Sequence, residues 1–305
     1  MAEPPPFFAG RTACGSTTAG KGASQDLGFV EVTILRIPFD SGRTPAPFAS
    51  TMHSSAFCVS DLNDTHAGNT VFVAGAGPQL AAASPEQLRQ LESKPVIGVN
   101  KVFYRLRTRY FLSAYIGEIM LAIRRIPNAT LLHMRPAVSP PLLPGINALR
   151  RVTFELGMPL PRHLEKAQPT LLTRLNVALA ATHLAYIMGA KRIVFIGVEQ
   201  RNQLHFWHFD EHCRGLIRDD VISRGDPDIL RIDHPYASLT HDLEALDRPA
   251  ADCMKPFYSV DHTPTFAAYF DILRRTGVDV VATTAESVVA DAGARVVALD
   301  DILAT

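Results

Sequence analysis

Residues that can hold a ligand or move a proton occur in this sequence where apolar runs end. The run VFVA ends in AGAGPQ, which places residues 75–79 in a tight turn, and the run PVIGV ends in Asn100. Glycines let the backbone turn sharply and approach a ligand, and an asparagine side chain can hydrogen-bond a base, a ribose or a phosphate. Turn and cap chemistry explains both motifs equally well, so a ligand site and a purely structural role stay open.

Two further residues have side chains suited to chemistry. His262 precedes Thr263 and Pro264, which predict a helix start, and a histidine there is well placed for general-base chemistry near neutral pH. Arg174 falls in the first turn of an apolar helix that we predict from a Thr170 cap to Gly189. A cation at a helix N-terminus is disfavoured by the helix dipole, and a bound anion would offset this cost. A surface histidine and a solvated arginine are the alternatives.

Patterns that suggest a metal are incomplete. His205, His208 and His212 would share one face of a helix, and the triplet DPD at 226–228 is similar to the DxD of metal-dependent sugar transferases. Neither a CxxC pair nor an HExxH motif is present, and the four cysteines are expected to be reduced and unpaired. We therefore predict no metal site.

The elements that must position these residues alternate between short apolar strands and helices from Asn69 onward. This order predicts an α/β fold, a Rossmann-like doubly wound parallel sheet covered by helices on both faces. Ligands bind such sheets beyond the carboxyl ends of the strands. The residues that follow the predicted strands are 75–79, Asn100, Ser113 and Glu199 onward.

Composition divides the chain into two parts. Residues 1–68 are rich in Pro, Gly, Ser and Thr and are predicted to be a disordered tail, although FVEVTILRIPF within them is compatible with one strand. Residues 69–305 are predicted to form the folded Rossmann-like domain, with an inserted loop or lid at about 200–262. The 30 basic and 30 acidic residues argue against a general nucleic-acid binder, and we expect neither a signal peptide nor a transmembrane segment.

Taken in order, the motifs from Val71 to Leu299 resemble the bacterial sialyltransferases of glycosyltransferase family 42 and a related group that includes archaeal 6-hydroxymethyl-dihydropterin pyrophosphokinases. AGAGPQ is similar to the glycine turn after the family's first strand, and VNKVFY to its strand-end Asn before aromatic residues. RLNVALAATHLAYIMGAKRIVFIGVE is similar to its Arg-initiated helix, next strand and Gly-Ile-Asp. DHTPTFAAYFDILRRTGVDVVATTAESVVADA is similar to its catalytic His and the elements that follow.

The resemblance implies an inverting, metal-independent glycosyltransferase that moves a sialic acid or related keto acid sugar from a CMP-sugar to an acceptor hydroxyl. It implies His262 as the general base, and Arg201 stands where the family has a tyrosine that stabilises the leaving phosphate. The residues that it assigns to nucleotide and donor binding are Gly75, Ala76, Gly77, Pro78, Gln79, Asn100, Ser113, Arg174, Asn176, Gly197 and Trp207.

Several of these positions depart from the family pattern. Ala76 replaces an Asn, Gln79 replaces a Ser, and Trp207 replaces the second tyrosine. Asn176 and Val177 replace small polar residues at the start of the central helix. The donor could therefore carry another keto acid such as Kdo, or another nucleotide. Two alternatives stay open: a pterin pyrophosphokinase-like enzyme that uses ATP with Mg²⁺, and a degenerate nucleotide-binding protein.

The resemblance also sets expectations for partners and location. The donor is a CMP-sugar, no other cofactor is expected, and the acceptor is an oligosaccharide or lipooligosaccharide. We expect no nucleic-acid partner, and a homo-oligomer stays open. The expected location is cytoplasmic, with peripheral association at the inner membrane as an option.

Overall fold

The computed structural model describes residues 32–35, 59–134, 151–155, 164–166, 170–172, 176–223, 239–254 and 261–305. The strands in these ranges are β1 (Val32–Leu35), β2 (Thr70–Ala74), β3 (Val96–Val99), β4 (Tyr110–Ser113), β5 (Thr130–Met134), β6 (Arg151–Glu155), β7 (Thr170–Leu172), β8 (Arg192–Ile196), β9 (Asp279–Ala282) and β10 (Arg295–Val296). The α-helices are α1 (Gln79–Ala82), α2 (Pro85–Glu92), α3 (Ile116–Arg125), α4 (Val177–Ile187), α5 (Glu211–Ser223), α6 (Leu239–Asp247), α7 (Thr263–Arg275), α8 (Val288–Asp291) and α9 (Leu299–Leu303). Short 3-10 helices cover Val59–Leu62, Asn100–Tyr104, Phe206–His208 and Ala250–Met254.

The sheet confirms the predicted α/β, Rossmann-like class. Strands β10, β9, β8, β2, β3, β4 and β5 lie side by side in that order and pair in parallel. Beyond β5, strand β1 pairs antiparallel with both β5 and β6, and β7 extends the sheet parallel to β6. Parallel neighbours need crossover connections, and the helices between them supply these.

The core lies in two layers, one on each face of the sheet. Along β2, Val71 and Val73 belong to the layer that contains α4 and α7, whereas Phe72 and Ala74 belong to the layer that contains α2, α3 and α5. Successive side chains of a strand point to opposite faces, so a strand buried on both sides must be apolar at every position. This explains why the strands read as continuous apolar runs.

The chain adds strands to opposite sides of the sheet after β2 and after β8. From β2 the chain continues to β3 on one side, and from β8 it continues to β9 on the other, while β2 and β8 themselves are paired. When the connections from two adjacent strands run in opposite directions, they leave a crevice beyond the carboxyl ends of those strands. This place is called the topological switch point, and doubly wound folds bind their ligands there. In this chain the switch point lies between the turn after Ala74 and the segment after Ile196.

Local sequence signals place several helix ends correctly. The Ser84 hydroxyl accepts from the backbone N–H of Gln87 at 3.2 Å, and the Gln87 side chain accepts from the Ser84 N–H at 2.7 Å. This capping box, together with Pro85 in the first turn, begins α2. Helix α7 likewise begins at Thr263, and Gly277 follows it with φ +82°.

The start of the long central helix was predicted wrongly. We expected the helix to begin after Thr170, but residues 170–172 form β7 beside β6, and α4 begins at Val177. The cap is Asn176, whose side-chain oxygen accepts from the backbone N–H of Ala178 at 3.0 Å. A threonine after a proline also suits a strand start, and pairing with β6 decides between the two.

Some described residues that precede residue 69, the predicted start of the folded domain, also pack in the fold. Strand β1 belongs to the sheet, and Val59 and Leu62 are part of the apolar core. The backbone N–H groups of Asp64 and His66 donate to the carbonyls of Ile187 and Met188 at 3.0 and 2.8 Å. These bonds satisfy carbonyls that the end of α4 leaves without intrahelical partners, which explains why this segment packs there.

The predicted insertion at about 200–262 contains two α-helices where the structure describes it. Helices α5 and α6 pack against each other, and Arg125 on α3 pairs with Asp220 on α5 at 3.0 Å. The insertion is thereby attached to the layer that covers one face of the sheet. None of the helices within the described ranges combines the length and the apolar character that crossing a membrane requires.

Candidate functional site

The glycine turn after β2 lies against the segment after β8. The backbone N–H of Gly75 donates to the carbonyl of Ile196 at 2.9 Å, and that of Gly77 donates to the carbonyl of Gly197 at 2.8 Å. A Cβ atom at Gly75 would lie 2.4 Å from the Gly197 carbonyl oxygen, and one at Gly197 would lie 2.4 Å from the Gly75 carbonyl oxygen. The two glycines are therefore needed for the mutual approach of two backbones at the switch point.

Glu199 lies directly over this turn. Its Oε1 accepts from the backbone N–H of Gln79 at 3.2 Å, while its Oε2 is buried and has no hydrogen-bond partner among the described residues. A Cβ atom at Gly77 would lie 1.6 Å from Oε2, so the carboxyl group occupies the space that the missing side chain leaves. Burial raises the pKa of Glu199 to about 7, although the backbone N–H groups of Glu199 itself and of Gln79 oppose this shift by favouring the charged form.

Gln79, predicted to bind the donor, also connects two strand ends. Its Nε2 donates to the carbonyl of Thr283 at 2.8 Å, and the Thr283 hydroxyl lies 2.7 Å from both Gln79 Oε1 and the carbonyl of Phe195. Thr283 follows β9, and Phe195 lies in β8. The Gln79 side chain thus links the turn after β2 to the end of β9 across β8.

A cavity of about 710 Å³ opens beside the turn. Its polar lining includes Gln79, Glu199, Arg201, Asn202 and Glu286, and its apolar lining includes Leu204, Phe209 and Met254. The remaining lining residues are Pro78, Ala81, Ala82 and Thr284. Phe209 and Met254 are 56% and 62% exposed, so a large apolar surface faces this space. A cavity of this size accommodates a small-molecule ligand, and its position matches the switch point.

Arg201, predicted to be catalytic, lines the cavity and pairs with Asp291 on α8. Its Nε donates to Asp291 Oδ2 at 3.0 Å, and its Nη2 donates to Oδ1. Both side chains are about half exposed, so water screens the pair, and its contribution to stability is small. The guanidinium keeps further N–H donors beyond the two that Asp291 engages.

The predicted residues His262, Asn100 and Ser113 lie outside the described lining of this cavity. His262 is buried at the N-terminus of α7, and a helix that leads into a parallel strand starts at the carboxyl edge of the sheet. Asn100 follows β3 with φ +59°, in the left-handed region that asparagine tolerates. The Ser113 hydroxyl donates to Glu118 Oε2 at 2.6 Å and thus has a structural partner.

The other predicted donor-binding residues have different surroundings. Asn176, besides capping α4, donates from Nδ2 to Gln200 Oε1 at 2.8 Å, which ties the start of α4 to the end of β8. Trp207 is buried and stacks on the His205 ring at 4.1 Å between ring centroids, and its Nε1 has no hydrogen-bond partner in the part of the chain that the structure describes. Ala76 is buried, and its carbonyl accepts from the Phe206 N–H at 2.9 Å. Arg174 lies outside the described residues.

Arg105 holds the short helix α1 against the insertion. Its guanidinium donates to the carbonyls of Ala81 and Ala83 at 3.2 and 3.1 Å and to Asp210 Oδ2 at 2.8 Å. The three acceptors lie on two separate parts of the chain. One arginine therefore positions both the segment after the glycine turn and the start of α5.

The histidine-rich segment does not form the helical face considered for zinc. Residues 206–208 form a short 3-10 helix, His205 stacks on Trp207, and His208 Nε2 lies 3.3 Å from Cys253 Sγ. Burial lowers the pKa of His205 to about 3. Within the ranges that the structure describes, no three His, Cys, Asp or Glu side chains are grouped as metal ligands, and Asp226 lies outside those ranges.

The structure thus brings three predicted residues, Pro78, Gln79 and Arg201, to one cavity and adds Glu199, to which the family pattern gave no role in donor binding. The signal for Glu199 was its place directly after β8, at the edge where ligands bind. Comparison of the chain with models of protein families, with curated proteins and with solved structures found no match.

Proposed function

We propose that this protein is a glycosyltransferase that uses a CMP-sugar donor, held in the cavity beside the glycine turn. The observation that carries the proposal is the cavity itself. It has a volume of about 710 Å³, and it lies at the switch point between β2 and β8, where doubly wound α/β folds bind nucleotides. The resemblance to family 42 supplies the identity of the nucleotide and the sugar-transfer reaction.

The two sides of the cavity suit the two ends of a nucleotide sugar. Phe209 and Met254 offer exposed apolar surface on which a base can stack, since every base has an aromatic face. Gln79, Asn202 and Arg201 offer amide and guanidinium donors that suit ribose hydroxyls and a phosphate. We assign the apolar side to the base and the polar side to the phosphate.

His262 supplies the base in this proposal. It takes the proton from the acceptor hydroxyl while that oxygen forms a bond to the anomeric carbon of the sugar. The bond from this carbon to the phosphate oxygen breaks, and its electron pair leaves with CMP, so the configuration inverts. Arg201 lines the same cavity, and we assign to its guanidinium the stabilisation of the charge gained by the leaving phosphate.

Binding of CMP to the cavity is expected to raise the melting temperature of the full chain. A ligand at 100 times its Kd stabilises the folded state by about 2.7 kcal/mol. The measurement is a thermal-shift screen against CMP, CDP, UDP, GDP and ATP with Mg²⁺. Ala82→Phe, at an exposed lining residue, should abolish the CMP shift because the phenyl ring takes up part of the cavity that the nucleotide would occupy. Ala304→Phe, at an exposed residue away from the lining, is the matched control and should retain the shift.

Substitution His262→Ala is expected to lower the rate of CMP release from CMP-Neu5Ac or CMP-Kdo by about 10²- to 10⁴-fold, the usual contribution of a general base. Binding of CMP should persist, because His262 lies outside the lining of the cavity. His212→Ala removes an exposed histidine from α5 and should leave the rate unchanged.

Three results would count against the proposal. A shift with ATP and Mg²⁺ but none with CMP would favour the pyrophosphokinase-like alternative. Tight CMP binding without turnover, over a broad screen of donors and acceptors, would favour a nucleotide-binding protein without transferase activity. A CMP shift that survives in Ala82→Phe would place the nucleotide elsewhere.

A further inference from the structure

Arg105 holds one wall of the cavity in place. Its Nη2 donates to the carbonyls of Ala81 and Ala83 at 3.2 and 3.1 Å. Ala82 lies between these two residues, is exposed and lines the cavity. The last carbonyls of a helix have no intrahelical partners, and α1 has only four residues, so the guanidinium satisfies backbone groups that α1 itself cannot. The position of Ala82 therefore depends on Arg105.

The same guanidinium holds a second wall. Its Nη1 donates to Asp210 Oδ2 at 2.8 Å, and the side chains of Arg105 and Asp210 are 23% and 15% exposed, so water screens the ion pair only partly. Phe209, the residue before Asp210, lines the cavity and is mostly exposed. Its N–H donates to the carbonyl of Phe206 at 3.0 Å. Phe209 is thus held between two anchors, and Arg105 supplies one of them.

The shape of an arginine side chain suits this double task. A guanidinium is planar and directs its N–H donors at fixed angles from separate nitrogens, whereas a lysine concentrates its donors on one nitrogen. Arg105 uses Nη2 for α1 and Nη1 for Asp210. It directly follows the 3-10 helix Asn100–Tyr104, which begins where β3 ends, so its backbone is anchored to the sheet. The covalent geometry of one side chain thereby relates the two walls to each other.

We propose that Arg105 is a positioning residue for the nucleotide base, because it sets the places of Ala82 and Phe209 before the ligand arrives. This inference rests on the proposed nucleotide site and specifies what gives its apolar side a fixed shape. A preformed site spares the ligand the cost of ordering side chains and backbone on binding. Arg105 has no part in bond breaking, so its loss should raise the KM for the donor and leave kcat unchanged.

The test is isothermal titration of the full chain with CMP, with circular dichroism to establish that each variant is folded. Arg105→Ala should raise the Kd about tenfold, the size of the cost of ordering one or two side chains. Arg105→Lys keeps the charge but lacks the two separate nitrogens, so its Kd should rise as well. Arg89→Ala is the matched control: it removes an exposed arginine of α2 that pairs with Glu86, and it should bind CMP like the wild type.

A milder variant covers the case in which Arg105→Ala does not fold. Asp210 Oδ1 accepts from the Cys213 N–H at 2.9 Å at the start of α5, and an asparagine can make the same bond. Asp210→Asn therefore keeps this contact and removes only the charge that faces Arg105. Its Kd for CMP should rise, by less than in Arg105→Ala.

A double-mutant cycle with Phe209→Ala shows whether Arg105 acts through the wall. Effects of residues that act through one another are not additive, whereas independent effects are. Without the Phe209 ring there is less for Arg105 to position. Adding Arg105→Ala to Phe209→Ala should therefore raise the Kd by at most about threefold, well below its effect in the wild type.

The outcomes separate this inference from the proposed function. If Arg105→Ala lowers the melting temperature and leaves the Kd unchanged, Arg105 only stabilises the fold and the inference is overturned. Wild-type affinity in Arg105→Lys, or full additivity in the cycle, overturns it too, while nucleotide binding stands. If wild-type protein does not bind CMP at all, the nucleotide site and the role of Arg105 fall together.

Discussion

Replacement of Gly197 by alanine is expected to destabilise the protein by about 3 kcal/mol or more, a large part of the 5–15 kcal/mol typical of a domain. Two effects combine at this position. Its φ of +67° lies in the left-handed region, which costs an alanine about 1–2 kcal/mol. The new Cβ would also lie 2.4 Å from the carbonyl oxygen of Gly75, and such overpacking costs about 1–3 kcal/mol. Urea unfolding followed by circular dichroism measures the sum.

Two other glycines separate these effects. Gly277 has φ +82°, and a Cβ atom there would meet nothing within 4 Å. Gly277→Ala should therefore lower the free energy of unfolding only by the cost of the left-handed backbone conformation, about 1 kcal/mol. Gly75 faces the Gly197 carbonyl at the same 2.4 Å but has no positive φ, so Gly75→Ala reports the steric part alone. If Gly197→Ala proves no worse than Gly277→Ala, the backbones at the switch point are not held as tightly as described.

The same distances change the interpretation of the glycine turn. The sequence suggests that Gly75 and Gly77 bring the backbone close to a ligand. The structure shows that Gly75 makes room for the Gly197 carbonyl and that Gly77 makes room for the Glu199 carboxyl group. A short motif cannot distinguish these cases, because the partner that demands the glycine is more than a hundred residues away in the chain.

Elements fixed by local chemistry were predictable, and those fixed by distant pairing were not. The start of α7 at Thr263 depends on neighbours within one turn, and this prediction is confirmed. The capping box at Ser84 and Gln87, which begins α2, is equally local. The start of α4 depends on whether residues 170–172 pair with β6, which sequence periodicity does not reveal. The alternation of strands and helices predicted a doubly wound parallel sheet, but the order of its strands, and hence the position of the switch point, depends on distant pairing and was not predicted.

The candidate site was predictable in its location but not in its chemistry. The rule that ligands bind beyond the carboxyl ends of strands identified Gln79 and the segment from Glu199 onward as candidates, and residues of both line the cavity. The rule says nothing about pairing, so the engagement of Arg201 by Asp291 and of Ser113 by Glu118 could not be anticipated. The rule also could not show that Glu199 is buried, or that its Oε2 has no hydrogen-bond partner among the described residues, because both are properties of the assembled fold.

Replacement of Glu199 by glutamine is expected to stabilise the protein at pH 8 by about 3 kcal/mol and to have little effect at pH 4.5. The pKa of Glu199 is about 7 in the folded protein, against an ordinary value of 4.5 that applies to the unfolded chain. Below pH 4.5 both states carry the proton. Between pH 4.5 and pH 7 the unfolded chain loses it while the folded protein keeps it, so stability is lost as the pH rises, at 1.36 kcal/mol for each unit of difference.

Glutamine has nearly the same shape and accepts from the Gln79 N–H, but it does not ionise, so the folded state of the variant carries no such penalty. The measurement is the difference in free energy of unfolding between variant and wild type, taken in urea at several pH values, in which the contributions of all other groups cancel. Glu286→Gln, at the exposed carboxylate of the same cavity, is the matched control, because an exposed carboxylate keeps its contact with water on folding. If the Glu199→Gln difference is flat with pH, Glu199 ionises at its ordinary pKa. The carboxyl group over the glycine turn would then be charged at neutral pH and would repel a phosphate, and nucleotide binding there would need a cation to offset it.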